Sequence, residues 1–172
     1  MTYDWTPVER AIERAYTVAD FSPPIALEDL CRLSRATVRP LDAEPFCLLE
    51  RRIAVIDAGA DRFTQREQAV HELAHILLRH GSQLLVPALF TELQEREAHS
   101  LELRLLIPAH QLLAYLEEER PSTVERAIYG LAERFDVSIP FARRRYAQFA
   151  ARWRPEDADD PRLVRERELW DC

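Results

Sequence analysis

His71-Glu72-Leu73-Ala74-His75 sets two imidazoles four residues apart with a carboxylate between them, a spacing that lets one helix hold a divalent ion and a proton acceptor side by side. Four residues advance an α-helix by about 400°, so His71 and His75 would emerge about 40° apart on one face and reach a single ion. Glu72 is turned about 100° from His71, beside the ion rather than on it. Neutral imidazole is a good zinc ligand, and a catalytic zinc keeps three protein ligands and one open position, so the pair needs a third partner. The ion would bring the pKa of its water down towards about 7 and polarise a carbonyl. The chemistry in view is metal-assisted hydrolysis with Glu72 moving the proton.

The elements that must position these groups are legible. Arg66 to His80 reads REQAVHELAHILLRH, free of Gly and Pro, with Ala69, Val70, Leu73, Ala74, Leu77 and Leu78 at helical spacing. Thr64 with Glu67 has the form of a capping box, and Arg79 and His80 precede Gly81 as a stop. His80 falls about 140° off the ligand face and is expected to complement the helix C-terminus. A third ligand should come from a second helix. Thr91 to Leu106, TELQEREAHSLELRLL, is such a helix, with Leu93, Leu101 and Leu105 recurring and Pro108 past its end. Its acids are Glu92, Glu95, Glu97 and Glu102, and with Arg96 and Arg104 among them most read as a solvated face. Glu95 and His99 form an i,i+4 pair, so a ligand at Glu95 with His99 as its neighbour or alternative is geometrically simple. Spacing alone leaves Glu97 open.

The rest of the chain supplies a mostly helical α+β frame. Thr6-Pro7-Val8-Glu9 opens a helix to about Ala19, Phe21-Ser22-Pro23-Pro24 breaks it, and a short helix runs from about Ala26 to Ser34. Three β-like runs follow, Thr37 to Pro40, Phe46 to Leu49 and Ile53 to Ile56, and are expected to form a small three-stranded antiparallel sheet. The last two look like a hairpin, although its turn lacks Gly or Asn. An exposed edge of this sheet near the metal could take an extended substrate as an added strand. Ala109 to Leu116, Thr123 to Phe135 and a segment capped by Ser138 and running to Arg152 read as helices. Residues 155–172, PEDADDPRLVRERELWDC, are charged and poor in core residues, a mobile tail with a short helix near Arg162 to Trp170.

Composition bounds the function. The chain has 172 residues, of which 47% are hydrophobic, enough for one domain with a core, and no apolar run approaches a membrane span. The start, MTYDWTPVER, has no basic segment followed by an apolar core, so no secretory signal is expected. Cys31, Cys47 and Cys172 are odd in number and unpaired in spacing, which points to a reducing cytoplasm rather than a disulfide framework. A formal charge of -7 repels nucleic acid. The stretch GLAERFDVSIPFARRRYAQF has the outline of a helix-turn-helix, but Arg143, Arg144 and Arg145 read as a solvated face and direct nucleic-acid binding is not expected. His110, Tyr115 and Tyr129 could serve an oxyanion, with a surface role for His110 and core packing for the tyrosines the plainer readings. Trp5, Trp153 and Trp170 read as packing or tail anchors.

FTQREQAVHELAHILLRHG followed by EREAHSLELRLLIP resembles the ImmA/IrrE family of zinc metallopeptidases, whose pattern is an HExxH helix and then a Glu-bearing helix ending in Leu-Leu-Met-Pro. The resemblance implies a zincin-like domain over residues 1–154, with a small sheet ahead of the HExxH helix. It also implies one zinc ion held by His71, His75 and, counting back from Pro108, Glu95, with Glu72 as the catalytic residue. The chain departs from the pattern at His99, where the family has Asn or a similar small polar residue, and at Leu101-Glu102, where it has Phe-Ala. A His99 bonded to a ligand imidazole would have to use its unprotonated nitrogen. The implied activity is that of a zinc-dependent endopeptidase cutting a DNA-binding helix-turn-helix repressor to relieve repression. The competing reading is a regulatory zinc-binding module that contacts a repressor or DNA through its C-terminal helices without cutting. Mn²⁺ or Fe²⁺ also suits a His/His/Glu site.

Overall fold

Pro40 has no N–H to give a neighbour, and Phe46-Cys47-Leu48 is short, so only Ile53-Ala54-Val55-Ile56 is built for the middle of a sheet. The computed structural model, which describes residues 3–80 and 87–152, puts it there. Strands β1 (Thr37–Leu41), β2 (Phe46–Leu48) and β3 (Ile53–Asp57) lie in the order β1-β3-β2. β2 pairs antiparallel with β3 as the hairpin predicts, but β1 pairs parallel with β3. The sheet is therefore mixed, not antiparallel. Strands joined by short links alternate in direction, so once the apolar third strand wedges beside the first, that pair must run the same way. The hairpin turn manages without glycine because Arg52 takes a left-handed conformation, φ 52°, and its Nε–H donates to the carbonyls of Ser34 and Arg35.

Across β3 lies α3 (Arg62–Leu78), which buries Ala69, Val70, Leu73, Ala74 and Ile76, while β3 buries Ala54, Val55 and Ile56. Its start is earlier than the predicted Thr64/Glu67 box. Asp61 is the N-cap, accepting from the N–H groups of Phe63 and Thr64, and the Thr64 hydroxyl donates to the same carboxylate at 2.6 Å. Gln68 accepts from the Asp57 N–H at 3.1 Å and Arg66 donates to the Ile25 carbonyl at 2.6 Å, tying α3 to the end of β3 and to the segment before α2 (Leu27–Ser34). The next helix, α4 (Ala88–Leu106), begins three residues before the predicted Thr91. These elements make up one compact unit, Phe21–Leu106.

A second unit joins the segment ending at Asp20 to the chain from Ile107 onward. It holds α1 (Pro7–Ala19), α5 (Ala109–Glu119), α6 (Val124–Phe135) and α7 (Ile139–Ala150), close to their predicted bounds. Its core is Tyr16, Leu112, Ile128, Leu131, Phe135, Phe141 and Phe149. The Thr6/Glu9 capping box forms as expected, yet Glu9 is buried and does more. It accepts from the Tyr3 hydroxyl at 2.6 Å and lies 3.6 Å from the Arg145 guanidinium, whose Nε–H donates to the Ile107 carbonyl at 2.8 Å. Arg145 is fully buried and only Arg143 and Arg144 face water, so the expected three-arginine solvated face is two arginines. With only three glycines in the chain, the left-handed helix ends fall on Asp20, Arg35, Arg79, Arg120 and Asp136. Gly81, Trp153, Cys172 and the predicted charged tail lie outside the described residues. Among the described residues no helix is long and apolar enough to cross a membrane.

Burial alone would raise the Glu9 carboxyl, but hydrogen bonds from Tyr3 and Thr6 and the Arg145 charge outweigh it and hold the group below the usual range. The unfolded chain therefore binds this proton more readily. The stabilisation from Glu9 is complete above the ordinary glutamate value and is lost as pH falls through the lower folded value. Glu9→Gln is expected to flatten this acid limb of the thermal unfolding midpoint, and an unchanged limb would refute the assignment. Arg145→Ala, which strands a buried carboxylate, should cost roughly 3–5 kcal/mol in denaturant unfolding.

Candidate metal centre

Within the Phe21–Leu106 unit α3 packs along α4, with Ala74 and Ala98 fully buried. This brings His71, His75 and Glu95 together. His71 Nε2 lies 3.1 Å from Glu95 Oε2 and 3.1 Å from His75 Nε2, and His75 Nε2 lies 3.4 Å from Glu95 Oε1. Donors about 2.0–2.1 Å from a tetrahedral zinc stand about 3.3–3.4 Å apart, so the three atoms are spaced as one face of such a tetrahedron. The residues present fit the ion.

The surrounding hydrogen bonds decide which imidazole nitrogens are bare. A carboxylate can only accept. Glu102 Oε2 sits 3.1 Å from His71 Nδ1, so with a neutral ring the proton is on Nδ1 and the lone pair on Nε2. On the other side Glu97 Oε2 lies 3.1 Å from His80 Nε2, and His80 Nδ1 lies 2.9 Å from His75 Nδ1. His80 thus donates to Glu97 and accepts from His75, and the His75 lone pair is also on Nε2. Two lone pairs and a carboxylate face one another across little more than 3 Å, an arrangement that only a positive charge between them makes favourable.

The titration of the imidazoles follows. Burial works against a proton on His71, but Glu102, by hydrogen bond and charge, with Glu72 and Glu95 behind it, raises its pKa on balance. His75 is pushed down to about 4, by burial first and then by the neighbouring His71 charge. Only one of two imidazoles at this distance takes a proton. Glu72 is buried, and burial holds its carboxyl above the usual range despite the opposing His71 charge and the Cys47 thiol. A shift in that direction makes the carboxyl better able to carry a proton than an ordinary one. The Cys47 thiol, bonded to Glu72, is pushed up to about 12 by burial and by that carboxylate, so β2 runs beside the base.

Several sequence expectations change here. His80 does not merely complement a helix end. The helix stops at Leu78, Arg79 turns left-handed at φ 55°, and the chain swings the His80 ring back onto His75, so a helical-wheel angle no longer applies. Glu97 goes to His80 rather than to the imidazole pair, and Glu95 is the acid that meets them. His99 contacts no ligand imidazole by hydrogen bond. Its Nδ1 lies 3.1 Å from Glu102 Oε2, the same oxygen that holds His71. Glu102, expected among the solvated acids, is buried. Its seven-residue offset from Glu95 was the available signal, since 95, 99 and 102 share one stripe of the helix. The two departures from the family pattern, His99 and Glu102, are bonded to each other. His71, Glu95 and His99 also offer one donor atom each within 4.8 Å of one another, a looser set than the one completed by His75. The oxyanion candidates lie in the other unit. There His110 stands edge-on to Tyr16, Tyr115 is buried over Gly130, and Tyr129 is exposed.

Comparison with known proteins gives the family. The IrrE N-terminal-like domain of peptidase family M78 matches residues 32–147, two-thirds of the chain and the whole of the donor cluster. The phage-like element PBSX protein XkdA of Bacillus subtilis (strain 168) is 32% identical over 98 residues, which are 57% of this chain and 48% of that protein. The chain therefore matches about half the length of this curated relative.

If Glu102 and the Glu97–His80 pair set the orientation and tautomer of the imidazoles, Glu102→Gln and His80→Ala should each weaken zinc binding by about 10–100-fold while the far-ultraviolet spectrum is kept. Calorimetric titration with Zn²⁺ measures this, and affinities equal to the parent in both variants would disprove the relay.

Proposed function

We propose that this chain, which belongs to the family of peptidases with an IrrE N-terminal-like domain, is a zinc endopeptidase in which His71, His75 and Glu95 hold one ion and Glu72 carries the proton. The observation that supports this most is the trio of acceptor atoms, 3.1 to 3.4 Å apart, with every other ring nitrogen of the pair already committed. Zinc, when bound, supplies a Lewis acid that makes water a nucleophile near neutral pH and polarises a carbonyl. Glu72 takes the proton of the attacking water and hands it to the leaving amine, and its burial among carboxylates is what lets it hold that proton between the two steps. Glu102 and His80 keep the two imidazoles turned towards the ion. The substrate lies extended along β2, an edge strand whose Cys47 borders Glu72, so that backbone hydrogen bonds align the peptide without demanding a particular side chain.

The substrate is a helix-turn-helix transcriptional repressor, cut to relieve repression in the cytoplasm. The family resemblance supports this, as does a relative whose name places it in a phage-like element. The formal charge of -7 and the inward turn of Arg145 count against DNA as the direct partner.

Purified protein loaded with Zn²⁺ is expected to cut the repressor encoded beside its gene, with Glu72→Gln retaining metal and losing about 10²–10⁴-fold in rate. Wild-type cleavage rates in the metal-loaded mutant would eliminate the mechanism. Repressor or DNA binding without proteolysis would favour a non-cutting regulatory module instead.

A further inference from the structure

We infer that His99 is a fourth protein donor to the metal, so that the resting centre is closed by three histidines and a glutamate and opens only when His99 is displaced. The inference rests on the zinc reading above. Its first support is the symmetry of supply: α3 offers the i,i+4 pair His71 and His75, and α4 offers the i,i+4 pair Glu95 and His99. Donor atoms of His71, Glu95 and His99 lie within 4.8 Å of one another, and the His99 ring stands with its centroid 4.4 Å from that of His71.

The second support is how His99 is held. Glu102 Oε2 lies 3.1 Å from Nδ1 of both His71 and His99. One buried oxygen thus anchors two imidazoles by the same nitrogen. A carboxylate only accepts, so each neutral ring carries its proton on Nδ1 and keeps Nε2 bare. This is how proteins fix a ligating histidine, through an outer carboxylate that sets its tautomer and turn.

Exposure sets the order in which the donors would leave. The His99 side chain is 64% exposed, against 6% for His75 and 15% for His71. His75 and His71 are locked by packing, whereas His99 can rotate into solvent by giving up one hydrogen bond. Displacement is a simple exchange, in which an incoming oxygen donor, from water or a substrate carbonyl, takes the place that the His99 nitrogen vacates. A four-donor centre is therefore latent, and the arrival of a peptide along β2 is the event that opens it. A catalytic zinc needs that position free.

Nitrogen NMR of the full chain carrying ¹⁵N-labelled histidine tests this without an activity assay. One equivalent of Zn²⁺ is expected to shift the Nε2 resonances of three histidines, His71, His75 and His99, strongly upfield, and of only two in His99→Asn. Competition with a chelator should strip zinc from His99→Asn at least about tenfold more readily than from the parent. Two shifted resonances in the parent, or equal chelator competition in the two proteins, would overturn the fourth-donor assignment and leave the three-ligand reading standing. No shift at all in His71 and His75 would instead mean that the zinc reading itself has failed.

Discussion

Three hydrogen-bond acceptors held face to face are the constraint on which this molecule turns. Nε2 of His71, Nε2 of His75 and the Glu95 carboxylate approach within 3.1 to 3.4 Å with no proton assigned between them once the imidazoles are neutral. Such a cluster repels itself unless a cation occupies it. A proton on His71 is one answer, and that ring's pKa is raised on balance against burial, chiefly by Glu102 at its far nitrogen with Glu72 and Glu95 adding to it. A divalent ion is the better answer, because it satisfies all three acceptors at once whereas a proton bridges two. The outer groups make the choice persistent. Glu102 and the Glu97–His80 pair hold protons on the far nitrogens, so neither ring can relieve the conflict by changing tautomer.

The scaffold explains how so polar a cluster is held in a small unit. β3 offers Ala54, Val55 and Ile56 as a fully buried strip, and α3 lays Ala69, Val70, Leu73 and Ile76 over it. That packing spends one side of α3 on the core and leaves the His71/His75 side for α4. Fully buried alanines on both helices, Ala74 and Ala98, suit a close approach of their backbones. The other unit buries charge on a different principle. Glu9 and Arg145 neutralise each other directly, with Tyr3 and Thr6 bonding the carboxylate and the Ile107 carbonyl and Gln148 bonding the guanidinium, so this pair calls for no external cation. The candidate metal centre differs in carrying a surplus of acceptors.

Much of this was legible in the sequence, for reasons that can be located. The helix periods, the Thr6 and Ser138 caps and the HExxH spacing are local, and each appears where its residues predict. The choice of Glu95 over Glu97 came from the family resemblance, counted back from Pro108, because spacing alone left both open. What failed was long-range or lay at an end. The parallel β1–β3 pair depends on which strand is most apolar and takes the centre, a competition that neighbouring residues do not record. The burial of Arg145 depends on Glu9, 136 positions away in the chain, and a run of three arginines carries no mark of which one turns inward. His80 was misjudged because the helix stops at Leu78 on a left-handed arginine, where no glycine announces it.

The graded exposure of the donors also bears on how a peptidase within such a family could be kept from cutting at random. Glu72 sits on the inner, β2-facing side with a carboxyl that burial holds above the usual range, while His99 sits on the outer, wet side. If His99 is the fourth donor, the groups that must not move are inside and the one whose loss would open the centre is outside. On the proposed alignment along β2, a substrate would meet Cys47 and Glu72 before it competed for the metal position, so recognition along the strand would precede exposure of the reactive centre. Binding energy from the aligned chain could then offset the cost of displacing an imidazole, whereas a short peptide would lack it. Selectivity would thus come from the length of chain that the edge strand can hold, not from a pocket for one side chain.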